Sequence, residues 1–482
     1  MASTSRSPDL DAVIVGAGPN GLAAAITLAQ AGKSVVVLEA NNTIGGAARS
    51  AELTEPGFIH DVGSAIHPMI KASPFFAGIA DEMAAHGFEW IDPPAAAAHP
   101  LDGGRAAIAW RDFARTVDGL GPDGKAYRRY YSPYIDKLDE LTDLALRPLL
   151  RVPKHPIFGA RFGATGAPPA ATTAKQVWKG DLGQALFAGH AAHAILPLTA
   201  PFTSTFGLFL GSLCHSVGWG FPAGGAQSVV DVMASILRSL GGEIRTGHPV
   251  ESMEDMPEAR ATIFSLSPSQ LESIVGNRFP SSYRAKLGEW KYGPGAFKVD
   301  FALDEPIPWA NPDVAEAGTV HLGGTLDEIV HAEAEVAAGR HSDRPFVLLA
   351  QHTQFDTSRA PEGKHTAWAY CHVPNGSTVD QTEAIESQIE RFAPGFRDLT
   401  RAKHSTNTAQ LEATNMNLIG GDIGGGSHAG TQLFARPMVQ ANPFDTADDT
   451  IFFGSASTTP GAAVHGMAGM GAAERALEKV FS

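Results

Sequence analysis

Three glycines near the start of the chain have a spacing that suits the binding of a phosphate group. They lie in the run Gly16-Ala17-Gly18-Pro19-Asn20-Gly21. In such a run Gly16 permits a tight turn, Gly18 lets a pyrophosphate approach the backbone, and Gly21 lets a helix pack closely on a strand. The phosphates would face the start of the following helix, where free N–H groups and the helix dipole favour negative charge. We therefore expect the run, including Pro19 and Asn20, to contact a pyrophosphate.

Two apolar runs flank these glycines and would position them. Residues 12–15 form a short β-run, and residues 34–38 form a second, β-branched run that ends at Glu39. The segment between them is rich in helix formers and stops at Gly32, which completes a βαβ dinucleotide-binding unit with an acidic tip. The Glu39 carboxylate can accept hydrogen bonds from both ribose hydroxyls and would repel the 2′-phosphate of NADP. On these residues alone, FAD and NAD remain alternatives.

A second glycine pair follows Glu39 and favours FAD over NAD. It lies in Ile44-Gly45-Gly46-Ala47-Ala48-Arg49, an arrangement that follows the first unit in many FAD enzymes. Gly45 and Gly46 would let the chain pass close under the ribityl and pyrophosphate groups. Arg49 could offer charge-assisted hydrogen bonds to phosphate. A simple NAD domain has no use for this second cradle, so we predict FAD as the cofactor.

Further motifs extend to the end of the chain. They are Asp61-Val62-Gly63-Ser64, Phe221-Pro222-Ala223-Gly224-Gly225, Gly241-Gly242-Glu243-Ile244-Arg245, Ile451-Phe452-Phe453-Gly454-Ser455 and Pro460-Gly461-Ala462-Ala463-Val464-His465-Gly466-Met467. With them the sequence resembles the phytoene desaturase-like flavoprotein superfamily, which includes carotenoid isomerases and retinol saturases. Other runs are most similar to the branch named for a pyridine nucleotide-disulfide oxidoreductase domain; they include Phe297–Leu303, Ser358–Gly363 and Gly420–Gly426.

The resemblance implies which further residues surround the cofactor, most of them at its flavin end. These residues are Gly63, Ser64, Val250, Gly454, Ser455, Val464, Gly466 and Met467. Val250 would hold the adenine with backbone atoms, and the last helix would point its N-terminus at the flavin, where its dipole stabilises negative charge on the reduced ring. His67 and His465 lie in or next to these motifs and are the candidate catalytic residues. A structural hydrogen bond is the alternative role for each.

The predicted fold class combines α/β and α+β architecture. The resemblance implies a discontinuous, amine-oxidase-like Rossmann domain for FAD, made of residues 1–70, 218–275 and 440–482. Residues 71–217 and 276–439 would form a substrate domain, with helices in the first part serving as a lid and a mixed sheet in the second. The apolar stretch 191–217 is expected to be buried core or tunnel lining, and a membrane-dipping surface is the alternative.

Composition and motif content limit the binding partners and the cellular compartment that we expect for this protein. A formal net charge of −15 argues against nucleic acid, because phosphate backbones need a basic surface. The two cysteines form no C-x-x-C pair, which excludes a redox-active disulfide and favours a reducing compartment. No spacing typical of metal ligands occurs, so we predict no metal. Without a signal-peptide core or a run of ~20 apolar residues, we expect a cytoplasmic protein. Peripheral membrane contact and a homodimer are left open.

These features predict an FAD-dependent oxidoreductase, a desaturase or dehydrogenase, that moves a hydride from a C–H of an apolar small molecule to flavin N5. The chain shows no paired-carboxylate or nucleophile signal, and hydride transfer depends on the cofactor and a dry site more than on protein nucleophiles. Oxygen or a quinone would reoxidise the flavin. The alternatives are a flavin-dependent cis–trans isomerase without net redox, and a non-catalytic FAD-containing binding or assembly protein.

Overall fold

The computed structural model describes residues 10–149 and 151–482. The strands are β1 (Ala12–Val15), β2 (Val35–Leu38), β3 (Ser50–Glu52), β4 (Ile59–Asp61), β5 (Trp90–Ile91), β6 (Ala95–Leu101), β7 (Arg105–Trp110), β8 (Phe221–Pro222), β9 (Glu243–Arg245), β10 (Ala261–Phe264), β11 (Gly295–Leu303), β12 (Ala317–Leu322), β13 (Val347–Ala350), β14 (His365–Val373), β15 (Thr400–Thr406) and β16 (Ile451–Phe453).

The α-helices are α1 (Pro19–Gln30), α2 (Pro68–Ala72), α3 (Pro74–Gly78), α4 (Ala80–Ala85), α5 (Phe113–Gly119), α6 (Gly124–Ile135), α7 (Leu138–Ala145), α8 (Pro156–Gly166), α9 (Ala170–Val177), α10 (Asp181–Ala192), α11 (Thr203–Ser216), α12 (Gln227–Ser239), α13 (Pro268–Val275), α14 (Ser281–Gly288), α15 (Leu326–Ala337), α16 (Thr382–Phe392), α17 (Phe396–Leu399), α18 (Thr408–Thr414) and α19 (Met467–Val480).

A five-stranded parallel sheet carries the predicted βαβ unit. Its strand order is β16-β10-β1-β2-β9. All residues of β1 and β2 are buried, as expected for parallel strands covered by helices on both faces. Helices α12 and α19 pack against α1 beside this sheet. The five strands all lie within 1–70, 218–275 and 440–482, although the division of the chain into two domains at those boundaries stays a prediction.

A seven-stranded mixed sheet forms the second layer. Its order is β15-β11-β14-β13-β12-β6-β7, and its long central strand β11 is buried along all nine residues. Together with the parallel sheet it confirms the predicted fold class. Strands β6 and β7 lie in the insertion expected to be helical. The run Ala95–Ala98 has low intrinsic strand preference, but its pairing between β12 and β7 buries it completely and overrides that preference.

Helices α10 and α11 cover this sheet and are themselves mostly buried. The apolar stretch 191–217 therefore forms core, and several of its side chains line a cavity described below. This confirms the expected buried role of the stretch rather than the membrane-dipping one. Within residues 10–149 and 151–482, no helix has the length and apolarity needed to cross a bilayer.

The contact between α1 and α19 depends on a glycine. A Cβ on Gly469 would collide with the backbone carbonyl of Asn20 at the start of α1. We expect Gly469→Ala to push the two helices apart and to destabilise the protein by about 1–3 kcal/mol, measured as a lower melting temperature. The matched control is Gly288→Ala at the end of α14, where a Cβ meets no atom within 4 Å. If both variants have the melting temperature of the wild type, the two helices do not approach as closely as described.

Candidate functional site

The glycine turn and Glu39 form one end of the site. Glu39 lies at the tip of β2 and is nearly buried. One carboxylate oxygen accepts a hydrogen bond from the backbone N–H of Ala17 (2.9 Å), and the other accepts from the N–H of Asn41 (3.0 Å). Gly18 is the N-cap of helix α1, which has no side-chain cap and no acidic residue in its first turn. Its first N–H groups are thus available to an anion such as a pyrophosphate.

The second glycine loop lies directly against the first. The N–H of Gly45 donates to the carbonyl of Ala17 (2.9 Å). The Arg49 guanidinium donates to the carbonyls of Gly46 (3.0 Å) and Thr414 (2.7 Å), so it ties this loop to the end of α18. The side chain does not line the cavity formed by the two loops. A contact between Arg49 and phosphate therefore stays a prediction, and its described bonds stabilise the loop.

A cavity of about 1120 Å³ starts at these loops and continues into the layer between the two sheets. Eleven of the predicted cofactor residues line it: Gly16, Gly18, Pro19, Asn20, Glu39, Gly46, Gly63, Ser64, Val250, Ser455 and Val464. Six do not: Gly21, Gly45, Arg49, Gly454, Gly466 and Met467. The volume exceeds the roughly 300–1,000 Å³ typical of a pocket for one small molecule. The cavity has room for a dinucleotide and a second compound.

The residues outside the lining support it from behind. A Cβ on Gly21 would collide with the carbonyl oxygen of Gly16, so Gly21 serves the packing of helix on strand. Gly454 allows a similarly close approach of β16 to α19, which starts at Met467. These glycines shape the cavity without facing it.

His465 is fully engaged within its own turn. Its Nδ1 accepts a hydrogen bond from the N–H of Met467 (3.0 Å), and its Nε2 lies 3.1 Å from the carbonyl of Gly461, to which it donates. Burial lowers the pKa of His465 to about 4, so the ring is neutral. It lines the cavity, but no ring nitrogen is left for a substrate. The geometry favours the structural alternative, and a catalytic role stays a prediction.

His67 keeps one ring nitrogen without a partner. Its Nε2 lies 3.0 Å from the Ser64 hydroxyl, whereas Nδ1 is buried and has no hydrogen-bond partner among the described residues. Burial lowers the pKa of His67 to about 4, so the imidazole is neutral. It lines the cavity beside Ser64. Because this Nδ1 is also shielded from the cavity, a catalytic role for His67 stays a prediction.

A buried ion pair lies next to the cavity wall and joins segments that are far apart in sequence. Arg359 is fully buried and donates to Asp61 (2.7 Å), to Asp356 (2.9 Å) and to the carbonyl of Pro222 (2.8 Å). Asp61 also accepts from the N–H of Ala226 at the start of α12 (2.7 Å). Burial alone would raise the pKa of Asp61, but Arg359 and these hydrogen bonds outweigh it and hold that pKa well below its usual range.

Lys298 is a cavity residue that the sequence did not single out. It lies on β11 and is almost completely buried. Its ammonium group donates to the carbonyl of Asp61 (3.0 Å) and to the Asp300 carboxylate. A buried lysine paired with a carboxylate at a cavity wall is a candidate functional group. Only the pairing of β11 with its neighbours brings Lys298 to Asp61, so local sequence gave no signal for it.

The end of the cavity far from the glycine loops is apolar. Its aromatic lining consists of Phe162, Phe202, Phe206, Phe209, Trp219, Trp368, Tyr370 and Phe434. His193 also lines it, and its Nε2 lies 3.1 Å from Nε2 of His321. We call this end the apolar chamber. An apolar compound of moderate length fits such a lining, and water is disfavoured there.

Four histidines next to the chamber form a buried cluster with low pKa values: His99, His190, His193 and His321. Burial lowers the pKa of His99 to about 4, and burial with the neighbouring imidazoles lowers that of His190 to about 3. The pKa of His193 also falls to about 3, mainly by burial, and that of His321 lies well below its usual value. All four rings are therefore neutral at physiological pH. Among the described residues no group of side chains is arranged to hold a metal ion.

Comparison with known proteins agrees with this geometry. A family model described as an NAD(P)-binding Rossmann-like domain matches residues 14–82. The rat pyridine nucleotide-disulfide oxidoreductase domain-containing protein 2 is 25% identical, covering 97% of this chain and 93% of its own. Phytoene dehydrogenase of Streptomyces griseus is 27% identical, covering 77% of this chain and 74% of its own.

Solved structures share the fold. Cyclohexylamine oxidase from Brevibacterium oxydans superposes with a TM-score of 0.58 at 18% identity, covering 98% of this chain and 99% of its own. The curated relatives confirm the resemblance to the phytoene desaturase-like superfamily, and the structural neighbour confirms an amine-oxidase-like fold. The site is accordingly that of a flavin or pyridine dinucleotide.

Breaking the buried ion pair should destabilise the protein. Arg359→Met would leave Asp61 as an uncompensated buried charge, at a cost of about 3–5 kcal/mol. Arg340→Met is the matched control, because Arg340 is exposed and pairs with Glu335 at the surface, where a pair contributes about 0–1 kcal/mol. We expect a much larger fall in melting temperature for the first variant, with partial recovery on adding Asp61→Asn. If the melting temperatures of the two single variants fall equally, the buried pair is no more important to stability than a surface pair.

The histidine cluster should make the fold sensitive to acid. In the unfolded chain these rings titrate near 6.5, whereas in the fold their pKa values are lower, so the unfolded state binds more protons below 6.5. Their contribution to stability is complete above about 6.5 and is lost at up to about 1.4 kcal/mol per pH unit for each ring as the pH falls towards 4. His99→Gln should flatten the slope of melting temperature between pH 7 and 5. His86→Gln, at an exposed histidine, should not. An unchanged slope in His99→Gln would contradict the assigned pKa.

Proposed function

We propose that this relative of the phytoene desaturase-like flavoproteins is an FAD-dependent oxidoreductase that removes a hydride from a C–H of an apolar small molecule. One observation carries the proposal: the dinucleotide cradle and the apolar chamber are parts of a single cavity. A compound in the chamber would reach whatever group the cradle holds without crossing solvent.

The arrangement of the cavity wall supports FAD over NAD. The first loop and Glu39 suit an ADP group, which both cofactors contain. The wall then continues through Gly46, Gly63 and Ser64 to the turn at Ser455–Val464, near the start of α19. An extended cofactor with a tricyclic ring would use this whole length. When bound, FAD would supply a two-electron acceptor at N5, the atom that takes a hydride.

The chain's own residues would bind, orient and keep water out. Glu39 would accept hydrogen bonds from the ribose, and the uncapped start of α1 would hold the pyrophosphate. The aromatic lining of the apolar chamber would exclude water and orient the substrate. His67 lines the cavity wall and stays the candidate proton acceptor from the sequence, but its unpartnered Nδ1 is buried and burial lowers its pKa to about 4. Lys298 lies in the same wall, where it bonds to Asp61 and Asp300.

The lining also supports the substrate class. Aromatic and aliphatic side chains dominate the chamber. Its nearest charged side chains are Lys298, which is bonded to Asp61 and Asp300, and Arg436, which donates through Nη2 to backbone carbonyls. The nitrogens of Arg436 without a partner among the described residues, Nε and Nη1, are themselves buried, so a strongly polar compound would reach few charged partners there. The compound named in one relative, phytoene, is apolar, and apolar polyenes and terpenoids are the class to test.

The cofactor assignment is tested by titrating the protein with FAD, FMN and NAD. We expect only FAD to give saturable quenching of flavin fluorescence or a perturbed spectrum. Glu39→Ala should weaken FAD binding roughly 10–100-fold, because it removes hydrogen bonds from a charged group. Glu89→Ala is the matched control, since this carboxylate is exposed and outside the cavity. Absence of flavin absorbance in the protein, after FAD is added and unbound cofactor is removed, would overturn the proposal.

The reaction type is tested separately under anaerobic conditions. A panel of apolar polyenes and terpenoids, including phytoene, is mixed with the FAD-loaded protein. We expect a substrate to bleach the flavin absorbance in stoichiometric amount. Conversion of a polyene between cis and trans forms without net bleaching would instead support the isomerase alternative. Failure of sulfite to form an adduct with the bound flavin, together with no reduction by any compound, would support a non-catalytic role.

A further inference from the structure

Segment 144–161 has a composition unlike the rest of the chain. Residues 144–180 contain six basic residues and no acidic one, whereas the whole chain has a formal net charge of −15. Four of the six, Arg147, Arg151, Lys154 and Arg161, lie within 144–161. Such a basic stretch on an acidic protein is a local attraction for a negatively charged surface.

The same segment exposes large apolar side chains. Val152 and Ile157 are each 87% exposed, and Leu149 is 41% exposed. Val152 and Ile157 are the two most exposed large hydrophobic residues in the described chain. Isolated exposed apolar side chains need no explanation, but three within nine positions, set among basic ones, form a patch of the kind that marks an interaction site.

The fold holds the described parts of this segment, residues 144–149 and 151–161, in one place. Arg151 forms an ion pair with Asp143 at 2.9 Å, and the N–H of Lys154 donates to the same carboxylate (3.3 Å). Gly159 of α8 packs against Leu144 and Pro153, so the two ends of the segment lie together. Asp143 is the one acidic group among these residues, and Arg151 already neutralises it. The charges of Lys154 and Arg161, both exposed, remain directed to solvent.

The patch lies at the apolar chamber. Leu144, Leu146, Leu149 and Phe162 line the cavity. Leu149 is therefore both part of the lining and exposed at the surface, which places the patch at an opening of the chamber. Phe434, also partly exposed and part of the lining, makes an edge-to-face contact with Phe202, with ring centroids 5.0 Å apart.

We propose that the patch formed by residues 144–149 and 151–161 docks on the surface of a bilayer that contains anionic lipid, with Val152 and Ile157 inserted among the acyl chains. Basic side chains attract anionic headgroups, and apolar side chains beside them enter the interface. An apolar substrate dissolved in the bilayer would enter the chamber without passing through water. The surface differs from the stretch 191–217, which is buried. The docking itself needs no turnover, so its test is independent of the proposed reaction.

The test is flotation of the full-length, FAD-loaded protein with lipid vesicles. One set is pure phosphatidylcholine, and a second contains about one-third phosphatidylglycerol, whose charge attracts basic segments. We expect binding to the anionic vesicles that weakens at high salt. Val152→Ser combined with Ile157→Ser should reduce that binding roughly tenfold. Lys154→Glu should reduce it about fivefold or more.

Matched controls use the same changes at other exposed positions. Val379→Ser and Lys286→Glu lie away from the patch and should bind vesicles like the wild type. All variants should keep their FAD spectrum and melting temperature, because the altered side chains are exposed.

Three results would overturn the proposal: no binding to either vesicle, equal binding to both, or unchanged binding of the patch variants. A change of the patch variants from dimer to monomer, without loss of vesicle binding, would assign the patch to contacts between copies of the chain.

Discussion

The buried ion pair between Arg359 and Asp61 is the constraint on which the site depends. Two opposite charges without access to water are stable only when their hydrogen-bonding groups are satisfied. Arg359 bonds to Asp61, Asp356 and the carbonyl of Pro222, and Asp61 in turn accepts from the start of α12. Three separate stretches of chain, around Asp61, Pro222–Ala226 and Asp356–Arg359, must therefore meet at one point. Asp61 directly precedes the cavity-lining segment at Gly63 and Ser64.

That meeting point fixes the relation between the two sheets. Asp61 ends β4, which contacts β14 of the mixed sheet, and its backbone carbonyl accepts a hydrogen bond from Lys298 on β11 of that sheet. The Asp61 carboxylate accepts from the N–H of Ala226 at the start of α12, which packs on α1 beside the parallel sheet. The dinucleotide cradle is built on the first sheet and the apolar chamber on the second. A cavity that spans both needs a rigid joint between them, and a fully buried charged network provides one because any displacement would leave a charge unpaired.

Local sequence predicted the part of the site that local structure builds. The glycine turn, Glu39 and the paired glycines are encoded within about thirty residues of one βαβ unit, where turn, helix start and strand tip have fixed spacing. Contacts between residues that lie far apart in the sequence leave no such local pattern. Arg359 and Asp61 are 298 positions apart, and Lys298 reaches the carbonyl of Asp61 from 237 positions away. Strand β6 was missed for a related reason, since its alanines gain strand structure only by pairing with β12.

The proposed function requires that one cavity bring the flavin end of FAD against the apolar chamber. A crystal structure of the protein loaded with FAD would show whether it does. We expect density for the tricyclic ring beside the turn at Ser455–His465, with one face open to Phe206 and Trp368. Density for the adenosine alone at Glu39, with the ring directed to solvent or the chamber closed off from it, would overturn the proposed function.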